Sequence, residues 1–282
     1  MSERRYPYVV VDAAPEEAEA LSSLLFDLGA GGVEERDSTT LVPGAPGKVS
    51  LVASFATHED AEAALEALGH PLARIEEVVG DGWRDEYKKY FHPFVLCPGI
   101  VVCPPWERCE PAPGQRVVEI EPGQAFGTGL HETTSLVASV LASFAHEVSG
   151  ADVLDVGSGS GILGLVALAL GARSVRAIDN DDEAVRATRE NAERNKAVLE
   201  VDGTSIEALS GTFAVVVANL EATVLTAMVS ALSLRVAPGG LLVLSGLLLE
   251  QGASIRAAYT GFELVESPER GEWIALVLRA SR

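Results

Sequence analysis

Val153-Leu154-Asp155-Val156-Gly157-Ser158-Gly159-Ser160-Gly161, running on into Ile162-Leu163-Gly164-Leu165-Val166, decides the fold of this 282-residue chain. A short strand-forming run meets a loop with glycine at every second position, and an apolar helix follows. Glycine lets the backbone turn sharply and lets a ligand approach the main chain closely. Downstream, short apolar runs at 175–178, 213–218 and 241–244 alternate with helical stretches. Strands buried on both faces read this way, and their alternation with helices implies a parallel sheet covered on both sides. The end of the chain differs. Residues 262–266 and 273–279 are two strands joined by Ser267-Pro268-Glu269-Arg270-Gly271, an expected antiparallel hairpin.

Upstream, the first eighty residues alternate short elements. Tyr8-Val9-Val10-Val11 reads as a strand, 15–29 as an acidic amphipathic helix with Leu21, Leu24, Leu25 and Leu28 on one face, and 32–36 and 48–55 as strands. A second acidic helix at 58–68 and a strand at 74–79 complete a βαββαβ order, the ferredoxin-like arrangement, which by itself fixes no function. Next come Trp83, Tyr87, Tyr90 and Phe91 on one face of a short helix with charges opposite. They form either an interdomain aromatic stripe or a docking surface for a partner. Residues 95–102 then alternate toward a strand before Pro104-Pro105-Trp106. The expected fold class is α/β, with a smaller ferredoxin-like α+β domain at 1–80, a connector at 81–112 and the parallel-sheet domain at 113–282. Two domains also match a typical size of about 150 residues each.

Acids outnumber bases 41 to 21, for a formal charge of −20, and 48% of residues are hydrophobic. Both domains can therefore bury cores, and disorder is excluded. The negative balance argues against nucleic acid and anionic membrane as partners and is compatible with a basic protein. Cys97, Cys103 and Cys109 are odd in number and fit neither a zinc knuckle nor a disulfide framework, so reduced thiols in a cytoplasmic protein are expected. No export signal stands out near the start, and no apolar run approaches the roughly 18–20 residues that span a bilayer.

The chemistry-bearing residues cluster around the glycine loop. The literal dinucleotide fingerprint occurs as Gly159-Ser160-Gly161-Ile162-Leu163-Gly164, and Asp179 ends the next strand, where an acid grips ribose hydroxyls. Gly157, Gly159 and Asp179 thus point to an adenosine-containing cofactor without separating NAD from S-adenosylmethionine. Asp155 helps to separate them, because negative charge beside the loop opposes a pyrophosphate and suits an ammonium and a sulfonium. A carboxylate there also serves simply to bond backbone N–H groups of the loop. The Lys-Ser/Thr ending of a phosphate-binding loop is missing. His131-Glu132-Thr133-Thr134-Ser135 begins like a zinc motif but lacks its second histidine, and no Gly-x-Ser-x-Gly elbow occurs, so neither a metal site nor a serine nucleophile is expected.

Two further stretches fit a ligand site. Gln124-Ala125-Phe126-Gly127-Thr128-Gly129-Leu130-His131-Glu132-Thr133-Thr134 precedes an amphipathic helix. Thr133 or Thr134 would serve as its N-cap, and Phe126, Thr128 and His131 make the stretch rich enough to be a ligand lid. Asn219 ends the apolar strand Val215-Val216-Val217-Ala218, at the strand edge where such sheets bind ligands. No stacking aromatic follows it, which disfavours a nucleobase substrate.

Taken together, these motifs resemble the PrmA family, methyltransferases that trimethylate amino groups of the large-subunit ribosomal protein L11. The likeness runs through the N-terminal domain, the 83–93 connector, Pro104-Pro105-Trp106, the 126–134 stretch, the glycine loop, Asp179, Asn191, Asn195, Ala218-Asn219 and Leu244-Ser245-Gly246-Leu247. The resemblance implies a class I methyltransferase sheet that uses S-adenosylmethionine, with Thr134, Gly157, Asp179 and Asn219 as cofactor contacts. It also implies that the N-terminal domain grips a basic ribosomal protein. Asn219 and, second, His131 are the candidates to hold the reacting amine. Glu221 and Glu132 depart from the usual pattern and put charge near the substrate pocket. The competing readings are methylation of another protein's lysine, an NAD-dependent oxidoreductase, and a non-catalytic S-adenosylmethionine-binding protein.

Overall fold

The continuous apolar run Tyr8 to Val11 forms the middle of β1 (Arg5–Ala13), which lies between β3 (Val49–Ser54) and β4 (Ala73–Val79), with β2 (Gly32–Arg36) outside β3. Every neighbouring pair is antiparallel. Two helices pack on this sheet, α1 (Pro15–Asp27) and α2 (His58–Leu68). Pro15 starts α1, where its missing N–H costs nothing. Thr57 caps α2 by accepting the Asp60 N–H at 3.1 Å, and left-handed Gly69 ends it. The inward stripe of α1 is Ala18, Leu21, Leu25 and Leu28, while Leu24, expected on that face, is 40% exposed. This computed structural model describes residues 5–36, 47–79, 91–122 and 127–282, and its chain divides into two units, Met1–His92 and Pro93–Arg282.

The second unit begins with a small sheet. The run expected to be one strand at 95–102 folds as two, β5 (Phe94–Cys97) and β6 (Ile100–Cys103), because Pro98-Gly99 makes a turn between them. β7 (Arg116–Glu119) adds in parallel to β6. Residues 93–112 of the expected connector thus belong to this unit, whereas Trp83, Tyr87 and Tyr90 lie outside the described residues. The thiol expectation needs correction. Cys103 and Cys109 form a disulfide, since the chain doubles back through the two prolines and brings their Cα atoms to 6.2 Å, inside bridging range. Cys97 is the free thiol, buried in β5 and pushed up to about 11 by that burial, so it is inert as a nucleophile.

The large sheet carries the site. Its strands are β8 (Asp152–Val156), β9 (Ser174–Ile178), β10 (Glu200–Asp202), β11 (Phe213–Asn219), β12 (Val236–Leu248), β13 (Phe262–Glu266), β14 (Glu269–Arg270) and β15 (Trp273–Ala280). They are ordered β10-β9-β8-β11-β12-β15-β13, with β14 paired to β15. The first five are mutually parallel and the C-terminal strands antiparallel, as the hairpin expectation required. Helices α3 (Glu132–Ser143), α4 (Ala145–Val148), α5 (Ile162–Ala169), α6 (Asp182–Arg194), α7 (Ala222–Ala227), α8 (Val229–Arg235) and α9 (Leu249–Ala258) accompany it. The strand order reverses between β8 and β11, and open α/β sheets bind their ligands in the crevice at such a switch point. Val156 pairs with Ala218 across that seam, so Gly157 and Asn219 leave the sheet side by side.

Candidate functional site

The glycine loop between β8 and α5 is held from beneath. Asp155 is 1% exposed and its Oδ2 accepts the Gly164 N–H at 3.0 Å, fastening the strand end to α5. Burial pushes its carboxyl up to about 7, against the lowering effect of that N–H and with a further push from the Asp179 charge. The backbone-bonding role foreseen for this residue is therefore present, and its charge lies below the loop. Asp179, beyond the end of β9, accepts the Gly159 N–H at 2.9 Å on one oxygen and the Asp181 N–H at 3.0 Å on the other. Each carboxylate oxygen keeps a further lone pair for a ligand hydroxyl. Gly157 has φ +73, and a Cβ there would lie 2.4 Å from Leu220 Cδ2, so the loop and the end of β11 are in contact.

Facing this loop is the segment that enters α3. Ser160 Oγ donates to the Gly127 carbonyl at 2.5 Å, tying the two loops together. Thr128 is half-buried beside it, and Phe126 lies outside the described residues. His131, not either threonine, is the N-cap of α3, since its Nδ1 accepts the Thr133 N–H at 3.3 Å. An imidazole nitrogen that accepts is unprotonated, so the Thr133 hydroxyl, 2.8 Å away, donates to it as well. Asn219 Nδ2 in turn donates to Thr133 Oγ1 at 3.2 Å. This chain turns the amide so that Asn219 Oδ1 points elsewhere, and that oxygen is buried without a partner. Thr134 Oγ1 is buried and unpartnered too. Relieved of the capping role, Thr134 keeps a hydroxyl for something the protein does not supply.

The structure therefore gathers Gly157, Gly159, Asp179, His131 and Asn219 about the ends of β8, β9 and β11, with Asp155 buried beneath the loop, Thr134 in the first turn of α3 and Thr128 next to Gly127. It adds partners from the C-terminal hairpin. The Trp273 ring meets His131 edge-on at 4.9 Å, and Arg270 Nη1 donates to Ser135 Oγ at 2.5 Å. A Cβ on Gly246 would sit 2.4 Å from the Leu220 carbonyl oxygen, which explains the glycine in Leu244-Ser245-Gly246-Leu247. Trp273 escaped the sequence reading because it reads as an ordinary strand residue, and only the antiparallel return of β15 carries it to α3. Thr133 had a local signal, a hydroxyl at a helix start, which pointed to the wrong role.

Two orphaned acceptors beside a glycine cradle and a ribose-type acid fit an adenosine cofactor bearing a polar, cationic tail. Comparisons with known proteins agree. A family model described as ribosomal protein L11 methyltransferase (PrmA) matches residues 5–281. A ribosomal protein L11 methyltransferase of Sorangium cellulosum is 51% identical over 92% of this chain and 84% of its own, and one of Myxococcus xanthus is 34% identical over 97% and 98%. Among solved structures, a ribosomal protein L11 methylase from Lactobacillus delbrueckii subsp. bulgaricus aligns with a TM-score of 0.63 at 32% identity, covering 68% of this chain and 100% of that one.

Proposed function

Because the chain belongs to the ribosomal protein L11 methyltransferase (PrmA) family, we propose that it transfers methyl groups from S-adenosylmethionine to amino groups of that ribosomal protein, in the cytoplasm. The observation that carries the chemical part of this reading is the buried, unpartnered Asn219 Oδ1 at the switch point of the sheet. When bound, the cofactor supplies a sulfonium methyl as electrophile. Gly157 and Gly159 would let it lie against the main chain, Asp179 would take the ribose hydroxyls, Thr134 would offer its free hydroxyl, and Asp155, partly ionised near pH 7, would add partial negative charge from below.

The substrate must be a neutral amine. For a lysine of pKa about 10.4, being neutral at pH 7 costs roughly 4–5 kcal/mol, and for an α-amino group near 8 only about 1 kcal/mol. The proton leaves to solvent. For the first two methyls Asn219 Oδ1 then accepts an N–H of the amine, which aims the nitrogen lone pair, and the Thr133–His131 chain keeps the Asn219 amide from turning over. His131 acts through Thr133, because its Nδ1 is already engaged there. Desolvation and orientation supply the rest. The acidic unit Met1–His92 is the part that grips the basic protein, with no role for nucleic acid.

Labelled S-adenosylmethionine incubated with purified ribosomal protein L11 tests the reading. Label is expected in lysine and N-terminal amines. Label in some other protein of a lysate, with none in L11, would move the substrate to the competing protein-lysine reading. Binding of S-adenosylhomocysteine without transfer to any protein would leave only a cofactor-binding protein.

A further inference from the structure

The hairpin at the end of the chain does more than close the sheet. β14 and β15 are joined by the two-residue turn Gly271-Glu272, so Arg270 and Trp273 form a cross-strand pair. Directly opposed residues point to one face of a hairpin. His131 and Ser135, four apart at the start of α3, make the matching pair, since residues at that spacing share a helix face. The two pairs meet. Trp273 lies edge-on to His131 with ring centroids 4.9 Å apart, and Arg270 Nη1 donates to Ser135 Oγ at 2.5 Å. The turn fits closely beside these contacts, because a Cβ on Gly271 would lie 2.5 Å from Glu132 Oε2. Ser135 Oγ gives its own proton to the Glu132 carbonyl at 2.9 Å, which leaves it a lone pair for the guanidinium.

The hairpin is also fastened to the strand that borders Asn219. Trp273 and Ile274 pair with Leu248 and Leu247 of β12, and the Leu249 N–H donates to the Glu272 carbonyl at 2.9 Å. β12 in turn pairs Ser245 with Asn219. A closed circuit results, from Asn219 to Thr133, through the first turn of α3 to the hairpin, and back through β12 to Asn219. The Asn219 Nδ2 to Thr133 Oγ1 bond in that circuit is long, at 3.2 Å, so a small drift of the turn against the sheet breaks it. We propose that Arg270 is a positioning residue for methyl transfer: by holding Ser135 it fixes the first turn of α3 at the height where Thr133 meets the Asn219 amide. The proposal rests on the reading that Asn219 orients the reacting amine. Arg270 is itself exposed and acts through Ser135.

Transfer of label from S-adenosylmethionine to ribosomal protein L11, with both saturating, tests the proposal. Arg270→Ala is expected to lower kcat about tenfold, within the range felt when an orienting group is displaced. The Kd of S-adenosylhomocysteine and the KM for the ribosomal protein should stay within about threefold. Arg270→Lys keeps a charged donor for a single acceptor and should recover most of kcat. Ser135→Ala removes the same bond from its other side and is read in the same way if Arg270→Ala fails to fold. The deciding measurement is the double variant of Arg270→Ala with Thr133→Val. Without the Thr133 hydroxyl Arg270 has nothing to position, so the pair should be no slower than Thr133→Val alone. Losses that multiply would overturn the proposal, as would a wild-type kcat in Arg270→Ala. Asn219→Ala, measured alongside, separates the two levels of inference. Wild-type turnover there would sink the amine-holding reading and this proposal with it, whereas a loss there with none in Arg270→Ala would sink this proposal alone.

Discussion

Two strand ends lie side by side at the centre of the large sheet, and they treat their polar groups in opposite ways. Beyond β8 the loop groups are bonded within the protein: Asp155 to Gly164, Gly159 N–H to Asp179, Gly159 O to Thr188 and Ser160 O to Asn191. Beyond β11, Asn219 keeps a buried oxygen with no partner, and Thr134, in the first turn of α3, keeps another. Burying an unsatisfied polar group costs about 1–3 kcal/mol. The first end is a cradle closed by the protein's own hydrogen bonds, and the second keeps two unpartnered oxygens, which we propose a ligand completes. Structural economy explains the cradle. It does not explain the orphaned oxygens, and the proposed function rests on that difference.

The cradle carries one cost of its own, in the charge of Asp155. With a folded pKa raised to about 7 from 3.8, this group favours the folded state fully below its unfolded value, and that contribution disappears as the pH rises through about 7. The ligand-free protein should lose stability between pH 4 and 8, by a few kcal/mol from this group. Glu147, held low by its hydrogen bonds to Arg279, has the reverse sign, stabilising above its unfolded pKa and weakening only on acidification, so it leaves the neutral range untouched. Asp155→Asn keeps an oxygen for Gly164 and removes the charge. Chemical denaturation across this pH range should show the downward slope in wild type and a flat line in the variant. Identical slopes would mean that the strand end is not the strained side of the cradle.

At the incomplete end, Asn219→Ala removes an oxygen with no protein partner. Turnover is expected to fall about a hundredfold, the scale seen when a group that orients a reacting centre is lost. The melting temperature should hold or rise, since an unsatisfied buried acceptor goes with the side chain. A hundredfold loss accompanied by a large drop in melting temperature would contradict the comparison, because Asn219 would then be structural like its neighbours beyond β8. Thr133→Val is the smaller perturbation. It keeps the shape and deletes the hydroxyl between His131 and Asn219, so the amide is free to turn over. About a tenfold loss in kcat is expected, with S-adenosylhomocysteine affinity within about twofold. Equal losses in both would place Thr133 in the cofactor site.

The two ends also differ in how far the sequence reveals them. Alternating glycines after a strand, and an acid at the end of the next strand, are local patterns, and the backbone they imply is the backbone found. Asn219 was visible because a polar residue closes an apolar strand. The network that orients it was not, since His131 and Asn219 are far apart in the chain and are joined through Thr133 where α3 packs against the sheet. A hydroxyl at a helix start suggested capping, and the ring of His131 took that role instead. The hairpin was legible as strands, but not as the element that delivers Trp273 to His131, which depends on the direction in which β15 crosses the sheet. The Cys103–Cys109 pair was missed because its closure depends on a local reversal after β6, which spacing does not encode.

The mildest test concerns charge rather than contact. Met1–His92 holds 18 acids against 8 bases, and Pro93–Arg282 holds 23 against 13, so the smaller unit carries half of the −20 net charge on a third of the chain. On α2, Glu59, Asp60, Glu62 and Glu66 are all solvent-exposed, so their field is felt in solution. If they steer a basic protein, raising salt from low to physiological strength should raise KM for the ribosomal protein a few-fold through slower association, with kcat unchanged. Glu62→Lys with Glu66→Lys should flatten that salt dependence without altering S-adenosylhomocysteine affinity, because Gly157, Asp179, Thr134 and Asn219 all belong to Pro93–Arg282. A salt-independent KM in wild type would assign the acidity of the small unit to solubility and leave substrate choice to other groups, such as the exposed Glu132 and Glu221.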